Sequence, residues 1–165
     1  MPSFRTLRRV PFTPRQMFDL VADVERYPEF LPLCEALTVR RRERAGVLDV
    51  LIADMTVGYK AIRETFTSRV ELDRVRSEVA VAGVSGAMGP FRRLENHWRF
   101  ADAPSGSRAG CEVEFSIAYE FRSAMLQMLV GSLFERAFRR YSAAFEARAE
   151  AVYGAGAPAA TRAAS

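Results

Sequence analysis

The residue types that most often carry catalysis or bind metals are scarce in this chain of 165 residues. It contains one histidine, His97, and two cysteines, Cys34 and Cys111, with no C-x-x-C spacing. A metal site with several histidines, a zinc site or a supported Cys–His pair is therefore difficult to build. His97 alternates out of phase with Leu94 and Trp98, so we expect it on the solvent side of its strand, with a catalytic role as the alternative.

Carboxylates and glycines give no stronger indication of catalysis. Glu64 and Glu95 lie in or next to apolar phases, so a buried carboxylate pair is conceivable, although strands at a sheet edge often carry such residues. The segment GVSGAMGPF, Gly83 to Phe91, has neither a G-x-S-x-G motif nor P-loop spacing, and no helical pattern follows it. We therefore expect a protein that is not an enzyme and that uses no cofactor or metal.

The basic residues have two interpretations. The formal net charge of +4 and the pI near 9.5 permit an anionic partner without requiring one. Two predicted elements concentrate this charge: a strand with Arg40, Arg41, Arg42 and Arg44, and a helix with Arg136, Arg139 and Arg140. They are either solvated faces or a docking surface for lipid headgroups or ribosomal RNA. The aromatic residues follow the phase of the core, which weakens the RNA interpretation, and we expect no DNA partner.

The elements that must position these residues begin with an extended segment, Ser3 to Phe12, and a short helix. Thr13-Pro14-Arg15-Gln16 predicts a capping box at the start of that helix, with Pro14 at its first position. A second short helical turn follows in DVERYPEFLPLCEA, where we expect Pro28 at the first position and Pro32 at the stop. Phe30 and Leu31 stand between these prolines, either to close the core or to line the lip of a pocket.

From Leu37 to Phe121 the apolar residues recur with period two. This alternation predicts a meander of antiparallel strands with one dry face and one wet face. Turn signals fall at 45–46, 72–74, 83–90 and 104–110. The predicted dry-face positions are Ile62, Phe66, Val70, Leu72, Val75, Val79, Val81, Leu94, Trp98, Phe100, Cys111, Val113, Phe115, Ile117, Tyr119 and Phe121. We also expect the Trp98 indole N–H to find a partner in Asn96, on the same face.

The last predicted element is a long helix, capped by Ser123 and ending near Tyr153. Its broad apolar stripe comprises Met125, Leu126, Leu129, Val130, Leu133, Phe134, Ala137, Phe138, Tyr141 and Phe145. A sheet curled around this helix would be an α+β fold with a space between sheet and helix. We expect a single domain over residues 3–153 and a disordered tail over residues 154–165, because the tail has too little to bury.

No segment predicts export or membrane insertion. The first residues lack the apolar core of a signal peptide. The longest nearly apolar run, Ala124 to Phe134, is too short to span a bilayer. We expect a cytoplasmic protein, in peripheral contact with the inner membrane at most.

Three stretches resemble the START-like, polyketide-cyclase-type family of coenzyme Q-binding proteins, which also includes the bacterial ribosome-association toxins. They are RRVPFTPRQMFDLVADVERYPEFLPLCEAL, MGPFRRLENHWRF, and CEVEFSIAYEFRSAMLQML with the terminal FEARAEAVY. The resemblance covers about residues 3 to 153. Two positions depart from the family pattern: Met88 stands where an acidic residue is frequent, and Leu33 stands where many members have Trp before the cysteine.

The resemblance implies a helix-grip fold in which a curved antiparallel sheet, with two short helices near the N-terminus, wraps around the long C-terminal helix. It also implies a hydrophobic cavity that binds ubiquinone or a related polyisoprenoid in support of respiration, without catalysis. Phase and resemblance together select the candidate ligand-binding residues Phe30, Leu31, Ile62, Phe66, Phe91, Leu94, Trp98, Phe115, Leu129 and Leu133. The alternatives that remain are a toxin that binds the large ribosomal subunit and blocks subunit association, and an unrecognised small-molecule enzyme or other module.

Overall fold

The computed structural model describes residues 2–105 and 110–154. Within these residues, seven strands and three helical segments follow one another. The strands are β1 (Ser3–Val10), β2 (Cys34–Ala45), β3 (Leu48–Tyr59), β4 (Ile62–Asp73), β5 (Glu78–Gly83), β6 (Phe91–Asp102) and β7 (Cys111–Phe121). The helices are α1 (Pro14–Ala22), a 3-10 helix (Val24–Glu29) and α2 (Ala124–Tyr153). The predicted disordered tail lies outside the described residues, except for Gly154.

The strands form one antiparallel sheet in the order β1-β7-β6-β5-β4-β3-β2. Helix α2 packs across the inner face of this curved sheet, and α1 and the 3-10 helix lie beside it. Phe91 illustrates how this core is joined, because its ring contacts Phe66 of β4, Phe121 of β7 and Phe134 of α2. The predicted α+β helix-grip fold is confirmed.

Local sequence determines where the helices begin. Thr13 accepts a hydrogen bond from the Gln16 backbone N–H while the Gln16 side chain accepts one from the Thr13 backbone, which is the predicted capping box. Ser123 caps α2 by accepting from the Leu126 N–H. Strand β7 alternates between buried and half-buried residues along its whole length, as its period-two pattern predicts.

Several local predictions differ from the structure, among them Met125 and Leu129 of the predicted apolar stripe of α2, which are exposed rather than packed. Pro28 lies near the end of the 3-10 helix rather than at its first position, so that turn begins earlier, at Val24. Val75 lies exposed in the turn between β4 and β5, and Ile62 lies exposed where β4 begins, so neither joins the dry face. The turn between β3 and β4 has no glycine or proline to predict it. Lys60 adopts a positive φ of 56° there.

Candidate ligand cavity

A small apolar cavity of about 70 Å³ lies between the inner face of the sheet and α2. The sheet supplies one wall, through side chains of β2 to β7. Helix α2 supplies the opposite wall, and the 3-10 helix with the residues after it covers one side. The lining residues are Val24, Tyr27, Leu31, Leu37, Ala53, Met55, Phe66, Ser68, Val70, Val81, Leu94, Asn96, Trp98, Ile117, Phe138, Tyr141 and Phe145.

Two hydroxyl groups of the lining retain their hydrogen-bonding capacity. Neither Tyr141 Oη nor Ser68 Oγ bonds to any other group in residues 2–105 and 110–154. Both side chains are buried. In contrast, Trp98 Nε1–H donates to Asn96 Oδ1 at 3.2 Å, and Asn96 Nδ2 donates to the Ser116 carbonyl at 2.9 Å. The cavity therefore offers two free O–H donors in an apolar lining, and the predicted Trp98–Asn96 hydrogen bond is confirmed.

The two tyrosines of the lining differ in what their hydroxyl groups do. Tyr27 Oη donates to the Val21 carbonyl, so its hydroxyl has a structural partner. Burial raises the pKa of both Tyr27 and Tyr141 far above that of a solvated phenol, and the nearby Cys34 thiol raises both further. Both groups therefore stay protonated at neutral pH, and Tyr141 is a hydrogen-bond donor toward the cavity.

We call residues 24–33 the lip segment, because they close one side of the cavity. Leu31 lines the cavity, while the ring of Phe30 lies 5.1 Å from that of Phe145 on α2. Glu29 accepts a hydrogen bond from Arg148 Nη2 at 2.7 Å, and the same guanidinium lies over the Phe30 ring. Side-chain contacts therefore hold this segment against α2.

The predicted ligand-binding residues fall into three groups. Leu31, Phe66, Leu94 and Trp98 line the cavity. Phe30, Phe91 and Phe115 lie outside its lining and pack in the aromatic core around it, with Phe115 only 4.6 Å from Trp98 between ring centroids. Ile62, Leu129 and Leu133 neither line the cavity nor are buried: Ile62 is the first residue of β4, Leu129 lies exposed in the second turn of α2, and Leu133 is half-buried on α2 outside the lining.

Sequence reasoning missed several lining residues that the fold brings together. Tyr141 and Phe145 belong to the predicted stripe of α2, but their place opposite Trp98 depends on how the helix crosses the sheet. Ser68 lies between Phe66 and Val70 on the inner face of β4, and a polar residue in an apolar phase is a signal that could have identified it. Tyr27 gave no such signal in the sequence.

The other side chains that could take part in catalysis lie away from the cavity, or are held in an unreactive protonation state. His97 is exposed on the outer face of the sheet, as predicted. Glu95 is exposed and paired with Arg93, and β5 separates its strand from that of Glu64, so the conceivable buried carboxylate pair does not form. Burial raises the pKa of Cys34 to about 11, which keeps it a thiol at neutral pH. Within the described residues, no group of three or more His, Cys, Asp or Glu side chains could hold a metal ion.

The two basic clusters differ in their ion pairing. On β2, each of the four arginines lies against a carboxylate: Arg40 with Asp54, Arg41 with Glu43, Arg42 with Glu25, and Arg44 with Asp49. On α2, Arg139 pairs with Glu135 and stacks over Phe4. Arg136 and Arg140 have no carboxylate partner among the described residues. Their uncompensated charge distinguishes the helix from the strand.

The chain is similar in sequence to relatives that carry names of two different functions, ribosome association and coenzyme Q binding. The ribosome association toxin RatA of Vibrio cholerae is 36% identical over 149 residues, which cover 88% of this chain and 93% of that protein. The mitochondrial coenzyme Q-binding protein COQ10 homolog B of Xenopus laevis is 30% identical over 143 residues, which cover 87% of this chain and 56% of that protein. Both relatives align with nearly the whole length of this chain.

Solved structures agree with the fold. The 18 kDa protein CC1736 from Caulobacter crescentus superposes with a TM-score of 0.72 at 35% identity, over 94% of this chain and 100% of that chain. The Zhui aromatase/cyclase from a Streptomyces species reaches 0.75 at 17% identity, over 95% and 99%, which is a likeness of fold alone. No helix in residues 2–105 or 110–154 is long and apolar enough to cross a membrane.

The family model described as polyketide cyclase / dehydrase and lipid transport matches residues 10–146, which include both the lip segment and the lining of the cavity. The chain belongs to this START-like family of polyketide cyclases and lipid-transport proteins.

Proposed function

We propose that the protein binds a polyisoprenoid quinone such as ubiquinone in the cavity between sheet and helix, and that it does so without catalysis. The observation that carries the proposal is a lining of apolar and aromatic side chains in which two residues with buried side chains, Ser68 and Tyr141, carry hydroxyl groups that have no partner in the described residues. Because most of the lining is apolar, burial of apolar ligand surface supplies most of the affinity. The protein would support respiratory electron transport or quinone biosynthesis from the cytoplasm.

The polar groups of the cavity suit a quinone headgroup in particular. A quinone ring carries carbonyl and ether oxygens, which accept hydrogen bonds and donate none. Tyr141 and Ser68 offer O–H donors, and their burial strengthens a hydrogen bond to a ligand. An anionic headgroup would instead need a cation, and no Arg or Lys of residues 2–105 and 110–154 lines this cavity.

Ligand uptake requires the cavity to expand. Ligand sites commonly measure about 300–1,000 Å³, several times the 70 Å³ found here. The lip segment is the wall best suited to move, because ion pairs and ring contacts join it to α2 rather than a continuous strand ladder. Its displacement would join the cavity to the surface and expose the apolar groups of Phe30 and Leu31 to the incoming chain.

The non-catalytic part of the proposal rests on the chemistry of the lining. Among the residues that the structure describes, no histidine, carboxylate, lysine or arginine lines the cavity. The raised pKa values of Tyr27 and Tyr141 oppose formation of a phenolate that could serve as a base. The lining can therefore hold an acceptor-rich ligand, and it offers no acid–base pair to transform one.

The experiment combines ligand identification with a titration. Mass spectrometry of lipids extracted from the purified protein should detect a polyisoprenoid quinone. A titration with short-chain ubiquinone should quench Trp98, the sole tryptophan, in a saturable manner, because the indole lines the cavity. The absence of saturable quenching, together with no quinone in the extract, would refute the proposal.

The relatives named ribosome association toxin RatA favour a second candidate function, association with the ribosome. In this candidate function the protein binds the large ribosomal subunit and blocks subunit association. Such binding needs uncompensated cations on the surface, and the ion pairs of β2 leave Arg136 and Arg140 as the stronger candidates. Sucrose-gradient sedimentation with large ribosomal subunits tests it. Association that weakens steeply with salt and decreases in Arg136→Gln/Arg140→Gln supports this function, and no association at low salt refutes it.

A further inference from the structure

Antiparallel topology collects several chain segments at one end of the sheet. In an antiparallel meander, every second connection lies at the same end of the strands. The segments at this end are the turn between β3 and β4, the loop between β5 and β6, and the connection from β7 to α2. We call it the helix-start end. The turns between β2 and β3 and between β4 and β5 lie at the opposite end.

Exposed apolar side chains concentrate at the helix-start end. The first two turns of α2 present Met125, Met128 and Leu129, which are 70%, 85% and 68% exposed. At the same end, Tyr59 and Ile62 flank the turn between β3 and β4 and are 44% and 41% exposed. Five large apolar side chains are thus exposed to solvent at one end, where they do not stabilise the fold, and such clusters mark contact surfaces.

Cations without carboxylate partners accompany these apolar side chains. Along α2, Arg136 and Arg140 follow Leu129 at spacings of seven and eleven residues, so they continue the same face of the helix. Neither forms an ion pair among the described residues. Arg122 precedes α2, and Lys60 occupies the β3–β4 turn, where its ammonium lies over Tyr59. Of the nearby carboxylates, Glu35 is paired with Arg63 and Glu135 with Arg139, while Glu64 is half-buried.

We propose that the helix-start end docks on the surface of an anionic lipid bilayer. Met125, Met128 and Leu129 would enter the boundary between headgroups and acyl chains, and Arg136 and Arg140 would bind lipid phosphates above them. The proposal rests on the proposed function for its purpose, because a carrier of a membrane-soluble quinone must collect its ligand from a membrane. Docking itself does not require an occupied cavity.

The composition of this surface favours lipid over RNA. RNA-binding surfaces interleave cations with exposed aromatic rings on which bases stack. Here the exposed apolar residues are two methionines, a leucine, an isoleucine and a single tyrosine. Flexible aliphatic and thioether side chains gain by burial in acyl chains, whereas they offer no stacking face to a nucleobase.

Vesicle flotation tests the proposal with the full chain. The wild-type protein should float with phosphatidylcholine vesicles that contain 30 mol% phosphatidylglycerol, and much less with pure phosphatidylcholine. Arg136→Gln/Arg140→Gln should lower partitioning about 25-fold, since each cation near an anionic surface contributes about fivefold. Met128→Ser/Leu129→Ser should lower it at least about tenfold, because it removes apolar area that would enter the bilayer.

The opposite end of the sheet supplies matched controls. Val47 and Val75 are as exposed as the apolar residues of α2, and Arg76 has no ion pair among the described residues. Val47→Ser/Val75→Ser therefore removes exposed apolar side chains, and Arg76→Gln an unpaired cation, from the end opposite the proposed docking surface. We expect each control to float like the wild type, within about twofold. Circular dichroism should give the same thermal transition for every variant, because all these side chains are exposed.

Three results would overturn the docking proposal. The first is no flotation with anionic vesicles at 0.1 M salt. The second is equal losses in the variants of both ends. The third is a loss of sedimentation with large ribosomal subunits in Arg136→Gln/Arg140→Gln while flotation is unchanged, which would assign the surface to RNA. Failure of the proposed function gives a different result, because a protein that floats but never binds quinone in detergent refutes the ligand and leaves docking standing.

Discussion

The two tyrosines of the cavity provide a sharp test, because both line the cavity and their hydroxyl groups differ in hydrogen bonding. Tyr27 Oη donates to the Val21 carbonyl, whereas Tyr141 Oη has no partner in the described residues. Tyr27→Phe removes a structural hydrogen bond, and Tyr141→Phe removes a hydroxyl that the unliganded fold does not use. We expect the two variants to lose different properties.

The magnitudes follow from the energetics of buried polar groups. Tyr27→Phe deprives a buried carbonyl of its side-chain donor and should lower the free energy of unfolding by about 1–2 kcal/mol. Tyr141→Phe should leave that free energy within about 0.5 kcal/mol, because it removes no hydrogen bond among the described residues. Its quinone affinity should instead decrease about 2- to 12-fold, the equivalent of one hydrogen bond of about 0.5–1.5 kcal/mol.

Urea denaturation and Trp98 quenching measure these two properties on the same samples. Midpoint and slope give the free energy of unfolding, and the slopes should be equal if the variants fold alike. Saturable quenching by short-chain ubiquinone gives the dissociation constant. If Tyr141→Phe destabilises the protein as much as Tyr27→Phe, the Tyr141 hydroxyl is structural. If it binds quinone as tightly as the wild type, that hydroxyl is not the donor to the ligand, and the reasoning from the free O–H groups fails.

Three further predictions concern stability. Trp98→Ala should lower the free energy of unfolding by about 3–5 kcal/mol, because its buried ring packs against Phe115 and Phe145; a loss under 1 kcal/mol in urea denaturation would contradict this packing. Hydrogen bonds from Arg148 and Arg26 lower the pKa of Glu29 in the folded protein, so its stabilising contribution is present above pH 4.5 and is lost as the pH falls through that lowered pKa. Amide hydrogen exchange at the lip segment should therefore accelerate in this pH window, and Glu29→Gln should abolish the pH dependence. Gly89→Ala should destabilise the protein more than Gly46→Ala in thermal unfolding. Both glycines have a positive φ, but only at Gly89 would the new Cβ lie 2.5 Å from the Thr65 carbonyl oxygen. Equal effects of the two substitutions would refute that contact.

Local patterns in the sequence determined most of the secondary structure and the class of fold. The capping box at Thr13, the Ser123 cap and the alternation of β7 each depend on residues a few positions apart, so they could be recognised without a fold. The hydrogen bond from Trp98 to Asn96 followed from two positions on one strand face. Where the local signal was absent, as in the turn at Lys60, the sequence gave no prediction.

The tertiary structure alone decided which apolar residues meet the cavity and which charges are compensated. Phase assigns a residue to a face, but its depth depends on where α2 crosses the sheet, and for this reason Phe66 lines the cavity while Ile62, on the same predicted face, is exposed. Ion pairs likewise join residues distant in sequence, such as Arg42 with Glu25 and Arg148 with Glu29, so no local pattern could reveal them. The absence of a hydrogen-bond partner for the Tyr141 hydroxyl among the described residues could not be predicted for the same reason, because it depends on all the residues that pack around Tyr141 in the fold.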